Sequence, residues 1–379
     1  MNDKKRTIAN SIILGLFLCG SMITKIITSI VSFNNNLVLL IGALLVLSFV
    51  LNLQRRFTLK FILINMIVAL AFVISVFINI RNSSYTTNYL LNYLLYGVAG
   101  MLLCSVKTDD SIVIKAMTAV YMAFTVLTVF VYIPQAQNEA YIEQSMDISY
   151  TIVIGLSASV FAWKGSNKIL RVLILAVDAV SLYYLMFLSD CRGAVLTLVF
   201  MGGIILLKRS KHKAWLSLLF ILLIVFVVWG WDFIIDALLE SNSEMRWISR
   251  FRRGTDIFSG RSDLLEQAKN LISSNVFGNG IGRFEVESGG QYTHNMYVQL
   301  FCEFGVFWGS IVSVYVTVLV IKTLFDKRSS GFDIFCICQF IPRLLLSSVY
   351  WSNPFIWIFL YTKSGRQTAR IIDRQKGAD

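Results

Sequence analysis

Charge is scarce in this chain. Of 379 residues, 15% are Asp, Glu, Lys or Arg against 56% hydrophobic, and the mean hydropathy is +0.68. A soluble chain of this size needs more charge to cover its surface, so a string of soluble domains is excluded. Proline is almost missing, with three residues, and no low-complexity stretch separates one part from another. One integral membrane domain, residues 1–379, is therefore expected. Cysteine is limited to six residues, Cys19, Cys104, Cys191, Cys302, Cys336 and Cys338, mostly inside apolar runs. They form no extracellular framework, and Cys336/Cys338 lacks the two-residue gap of a redox or zinc motif. Small apolar packing residues are what remains. Metal-ligand spacings are also missing. The loop expected outside has no Asp-X-Asp pair and no His/Cys/carboxylate cluster, so neither a metal nor any other cofactor is expected. The glycine run Phe277-Gly278-Asn279-Gly280-Ile281-Gly282 follows no strand and precedes no Lys-Ser/Thr, which excludes a nucleotide-binding loop.

What the chain has is apolar runs. A spanning helix needs about 20 mainly apolar residues, and such runs fall near 10–31, 36–53, 59–80, 89–106, 112–133, 149–164, 169–188, 193–207, 214–231, 294–321, 332–349 and 352–362. The expected fold is an all-α polytopic membrane protein of about twelve transmembrane helices. The N-terminus has the basic start of a signal peptide, but its apolar run is too long and lacks a small-residue cleavage site. It is read as an uncleaved first helix. The net charge of +12 does not point to nucleic acid, because it is gathered in short clusters between apolar runs. These are Lys4-Lys5-Arg6, Arg55-Arg56-Lys60, Lys164/Lys168/Arg171, Lys208-Arg209-Lys211-Lys213, Lys322/Lys327/Arg328 and the tail from Lys363 to Lys376. With twelve crossings all six lie on one side, as the positive-inside rule requires of the cytoplasm. Both termini are then cytoplasmic. One large loop, about 232–293, lies outside and holds Arg246, Arg250, Arg252, Arg253, Arg261, Lys269 and Arg283; long loops escape the charge rule. Within it, Ser262 is expected to cap a helix reaching about Ser274, with Asp263 and Glu266 in the first turn.

Only two histidines are available for acid–base work. His212 sits among lysines and reads as solvated surface. His294 stands where the external loop re-enters the membrane, in Gln291-Tyr292-Thr293-His294-Asn295-Met296-Tyr297, and an imidazole there can act as a base or a donor. Asn295, Gln299 and Glu303 follow at i, i+4 and i+8, one polar face on an apolar helix. Such a face either lines a wet cavity or bonds to neighbouring helices. Ser189-Asp190-Cys191-Arg192-Gly193 forms a second polar island at a tight turn, holding Arg192 near the membrane surface, as substrate contact or as a snorkelling side chain. Asp178 and Arg343 are further charges within apolar runs, expected to pair structurally. In a site without metal, arginines bind anionic oxygens best, since guanidinium meets phosphate in bidentate fashion and keeps its charge.

Four elements in order carry a family resemblance. They are Arg192-Gly193-Ala194; Gly260-Arg261 opening an external helix; Gly278-Asn279-Gly280-Ile281-Gly282; and His294-Asn295 followed by Glu303 and Gly305. With the ending Trp351-Ser352-Asn353-Pro354-Phe355-Ile356-Trp357, the stretch 185–360 resembles the O-antigen ligase/O-antigen polymerase superfamily. It departs from that pattern at Ser262-Asp263-Leu264-Leu265, where an aromatic is common, and at Asn275-Val276, where a proline is. The resemblance implies a GT-C-like, metal-independent glycosyltransferase of the bacterial cytoplasmic (inner) membrane. Its implied donor is an undecaprenyl-pyrophosphate-linked oligosaccharide. Arg192 and Arg261 take the places of the family's essential arginines and His294 that of its histidine.

The chemistry of the residues is compatible with this. Cleaving a sugar–pyrophosphate bond builds up negative charge that preorganised arginines can stabilise. His294 would take the proton of the incoming hydroxyl. Asn295, Arg253, Arg283 and Glu303 are candidates for holding substrate, and Tyr292 and Tyr297 for stacking on sugar. The first reading is a polysaccharide (O-antigen or capsule) repeat-unit polymerase. The second is an O-antigen ligase acting on lipid A core, and a flippase for lipid-linked oligosaccharide is the reading from another class. Expected partners are the lipid-linked glycan, membrane lipids and a chain-length regulator protein, with no nucleic acid.

Overall fold

In a computed structural model the described residues are 2–30, 36–52, 57–78, 83–136, 142–189, 191–211, 215 and 261–363. The expected ninth run, 214–231, apart from residue 215, and the loop residues 232–260, Arg253 among them, lie outside these. The described residues are helical with no strand among them. In chain order the helices are α1 (Asp3–Leu18), α2 (Gly20–Ile30), α3 (Asn36–Leu51), α4 (Leu59–Ile78), α5 (Ser83–Asn92), α6 (Ala99–Cys104), α7 (Asp110–Leu127), α8 (Ile133–Gln135), α9 (Ile142–Ala162), α10 (Lys168–Tyr183) and α11 (Arg192–Arg209). Beyond residue 260 come α12 (Arg261–Ser274), α13 (Arg283–Glu287), α14 (Met296–Phe325), α15 (Gly331–Leu346) and a last helix at 354–363, α16.

Among the described residues, five helical stretches are long and apolar enough to cross a membrane: Leu59–Ile78, Asp110–Gln135, Met146–Gly165, Lys168–Leu188 and Met296–Phe325. A sixth is added if α1 and α2 count as one span. The first expected helix is thus corrected, because it bends by 71° between α1 and α2. Cys19 leaves helical geometry at the joint, ahead of Gly20. Large side chains stand out on the outer helices, such as Met66, Ile67 and Phe77 on α4 and Ile169 and Val172 on α10. A row of this kind suits lipid, whereas a water-exposed surface rarely carries so much apolar area.

The centre is α9, packed against α7, α11 and α15. It carries four fully buried hydroxyl residues, Ser149, Thr151, Ser157 and Ser159. Thr151, Ser157 and Ser159 donate to carbonyls of their own helix, those of Asp147, Val153 and Leu156. Short side chains satisfied locally let neighbouring helices approach closely without orphaning polar groups.

The expected span 294–321 is the larger correction. Helix α14 is broken at Gly305, whose φ of 74° and ψ of 177° are not helical. Tyr297 Oη and Thr317 Oγ1 are nonetheless 2.9 Å apart. Twenty residues of straight helix would part them by about 30 Å, so the chain reverses at Gly305. A short limb from Met296 folds back on the long limb running to Phe325. A reversal leaves the last carbonyls of the short limb without helical partners. The glycine run supplies them, as Asn279 N donates to Cys302 O at 3.0 Å and Gly280 N to Glu303 O at 3.0 Å. Val306 N donates back to Val276 O at 2.9 Å. Contact is backbone to backbone here, and a Cβ on Gly278 would stand 2.6 Å from both Glu303 O and Gly305 N.

Candidate functional site

The loop that the glycine run secures delivers Tyr292, Thr293 and His294 to the start of α14. Asn295 is the N-cap, its Oδ1 accepting from Tyr297 N at 2.9 Å and Val298 N at 3.3 Å. That oxygen is therefore committed to the helix start. His294, just before it, has φ 54°, the one left-handed non-glycine among the described residues. Its half-buried ring lies over Tyr292, with centroids 4.0 Å apart and planes at 37°. Tyr292 is fixed in turn, its hydroxyl donating to Ser347 O at 2.7 Å just past the end of α15. The imidazole is thus held by its backbone, a stacked ring and a second helix.

Arg192 begins α11, as the tight turn in the sequence leads one to expect, and Arg261 begins α12. Their side chains lie outside the described residues. Ser262, expected to cap this helix, is helical itself. Ser262 is inside α12, its hydroxyl 3.4 Å from Asp263 Oδ1, and the helix ends at Ser274 as expected. Arg283 begins the short α13, which the sequence reading missed, and is ion-paired with Glu287. Both border an open cleft of about 560 Å³ with Gln267, Asn270, Asn275 and Asn279. Tyr297 points to Thr317 within the α14 reversal.

Glu303 is fully enclosed. Gln299 Nε2 donates to its Oε1 at 2.9 Å, the Tyr350 hydroxyl to its Oε2, and Trp351 Nε1 to both oxygens at 3.3 Å. Of the two readings of this polar face, hydrogen bonding to a neighbouring element is the one seen for Glu303, and Gln299 bonds to Glu303 within its own helix. A second buried carboxylate, Glu285, accepts from Tyr89 Oη at 2.6 Å. Burial pushes its carboxyl above the usual range, against the pull of that hydrogen bond. Nothing in the local sequence distinguished Glu285 from an exposed loop acid.

Asp178 and Arg343 do not pair, contrary to the expectation. Asp178 accepts from Ser159 Oγ at 2.9 Å and Tyr121 Oη at 3.2 Å. Arg343 lies over the Tyr150 ring, its Cζ 5.1 Å from the centroid. The two charges lie on helices that both pack against α9, and neither needs the other.

The segment spanning the arginine turn, the glycine run and the histidine now has a match among known families. Residues 178–313 match the O-antigen ligase family. The match takes in Arg192, Arg261, His294, Asn295, Glu303 and Gly305 and supports an O-antigen ligase/polymerase-like superfamily, in keeping with the resemblance in the sequence. Arg343 lies beyond it. No curated protein and no solved structure matches the chain.

Proposed function

We propose that this protein is a polysaccharide repeat-unit polymerase. It transfers an undecaprenyl-pyrophosphate-linked glycan onto another lipid-linked repeat at the outer face of the bacterial cytoplasmic membrane. The observation that carries this is His294. A non-glycine residue held left-handed costs free energy and persists where the surroundings over-determine it, most often at active sites. Here a stacked tyrosine, an N-cap and a helix reversal secured by a glycine loop all converge on that residue.

His294 accepts the proton of the attacking sugar hydroxyl. The anomeric carbon–oxygen bond to pyrophosphate breaks, and the leaving group departs as the lipid diphosphate. Arg192 and Arg261 carry the charge that develops on it. Asn295, Tyr292 and Tyr297 line the acceptor side, and Arg253 and Arg283 steer the anionic lipid. Glu303 positions the short limb of α14 instead of touching sugar. The architecture is GT-C-like, and no metal takes part. A ligase delivering glycan to lipid A core is the second reading, favoured by the description of the matching family.

Purified protein incubated with lipid-linked single repeats in excess EDTA decides between them. A ladder of longer lipid-linked chains without any core acceptor is expected. Transfer only after lipid A core is added would make the protein a ligase. A requirement for Mg²⁺ or Mn²⁺ would overturn metal independence.

A further inference from the structure

Arg343 is a guanidinium near the end of α15 that forms no salt bridge among the described residues. Its Nε is buried without a hydrogen-bond partner. The charged and titratable groups acting on it most strongly are Tyr150, Asp147, Tyr292 and Cys191. Asp147 is the one carboxylate among them, and it is ion-paired with Lys25. A cation within a membrane bundle normally pairs with an anion or lines a substrate path. One turn earlier on the same face of α15, Gln339 is fully buried with neither amide atom hydrogen-bonded. This face of α15 therefore carries donor capacity that the protein does not use.

Its position is as telling as its lack of a counterion. On one side is Tyr150, whose ring lies under the guanidinium and whose hydroxyl abuts the turn after Arg192: a Cβ at Gly193 would stand 2.0 Å from Tyr150 Oη. On the other side, one turn on from Arg343, Ser347 accepts from Tyr292, which carries His294. Arg343 thus stands between the start of α11, which it meets through the Tyr150 ring, and the histidine loop, whose Tyr292 is anchored to a carbonyl four residues further along the chain.

We infer that Arg343 is a third arginine of the substrate site and binds the diphosphate of the lipid-linked donor between Arg192 and His294. The inference rests on the glycosyl-transfer reading above and extends it outside the family-matched segment. Stacking on Tyr150 leaves the guanidinium edge free to donate, and a planar fork meets two diphosphate oxygens at once.

The test measures binding of undecaprenyl pyrophosphate to purified, monodisperse full-length protein, with undecaprenol as the uncharged control and inorganic pyrophosphate as competitor. Wild type should bind the diphosphate and not the alcohol. Arg343→Gln should weaken binding by about ten- to a hundredfold, as expected for losing a charged hydrogen-bonding group. Arg343→Lys keeps a cation over Tyr150 but loses the fork, and should fall between them. If Arg343→Gln fails to fold, the lysine variant decides alone. Wild-type affinity in every folded variant, with wild type binding normally, would overturn Arg343 and leave the transfer reading intact. Failure of wild type to bind the diphosphate or transfer glycan would overturn both. Competition by inorganic pyrophosphate places recognition in the diphosphate; without it, the lipid-linked diphosphate is the recognised unit, and the drop in the Arg343 variants is required either way.

Discussion

His294 holds its backbone at φ 54°, where asparagine is at ease and alanine is strained by about 1–2 kcal/mol. His294→Asn is therefore a cleaner probe than His294→Ala, since it preserves the turn while removing the base together with its ring contact to Tyr292. The asparagine variant should accumulate and melt like wild type yet lose about a hundred- to ten-thousandfold in turnover, the range for a positioned acid–base group. Normal polymer from well-folded His294→Asn would leave the residue a packing role under Tyr292. Arg192, at the start of α11, is tested by Arg192→Lys. The fold should be kept and the rate should drop about a hundredfold, since an ammonium cannot supply a preorganised bidentate fork to the leaving diphosphate. Wild-type turnover in the lysine variant would make Arg192 a snorkelling residue.

At the scale of elements, the site depends on the reversal of α14. Gly305 lies at its corner with φ 74°, and a Cβ there would meet Val276 O at 2.2 Å. Gly289 has a similar φ of 70° but nothing within 4 Å. The pair separates two costs that glycine substitutions usually mix. Gly289→Ala should lose only the conformational term of about 1–2 kcal/mol. Gly305→Ala adds a backbone clash that no side-chain rotation can relieve, and should fall well beyond that range. Thermal unfolding of detergent-purified protein would show it. Equal losses in both variants would mean that the glycine loop does not hold the reversal. The buried Glu303 network braces the same corner from the other side, tying the short limb to Tyr350 and Trp351.

For the molecule as a whole, orientation is the property most open to a direct test. Five of the six cysteines are buried, so background labelling by an impermeant thiol reagent should be low. Cysteine introduced as Ser288→Cys should react in intact spheroplasts, and Ser210→Cys only after permeabilisation. The reverse pattern would place the His294 loop in the cytoplasm and remove the lipid-linked donor from its reach.

Composition and periodicity determined that this chain is helical and apolar, because a run of some twenty apolar residues has few other solutions in lipid. The family resemblance pointed to Arg192, Arg261 and His294, because its motifs are short and are read in order along one dimension. The glycine run was legible as a turn, since repeated glycine marks left-handed backbone, but not its partner. That partner, the α14 break, hides in an apolar stretch that reads as one continuous helix. The bend at Cys19 was equally hidden. Pairing of charges was misread, since Asp178 and Arg343 are alike in sequence terms and only packing around α9 shows that serine and tyrosine hydroxyls hold one while the other lies over a ring with its Nε unpartnered. Which helix faces which, and so which polar groups are left to meet a substrate, depends on contacts between residues far apart in the chain. Tertiary structure alone decided that.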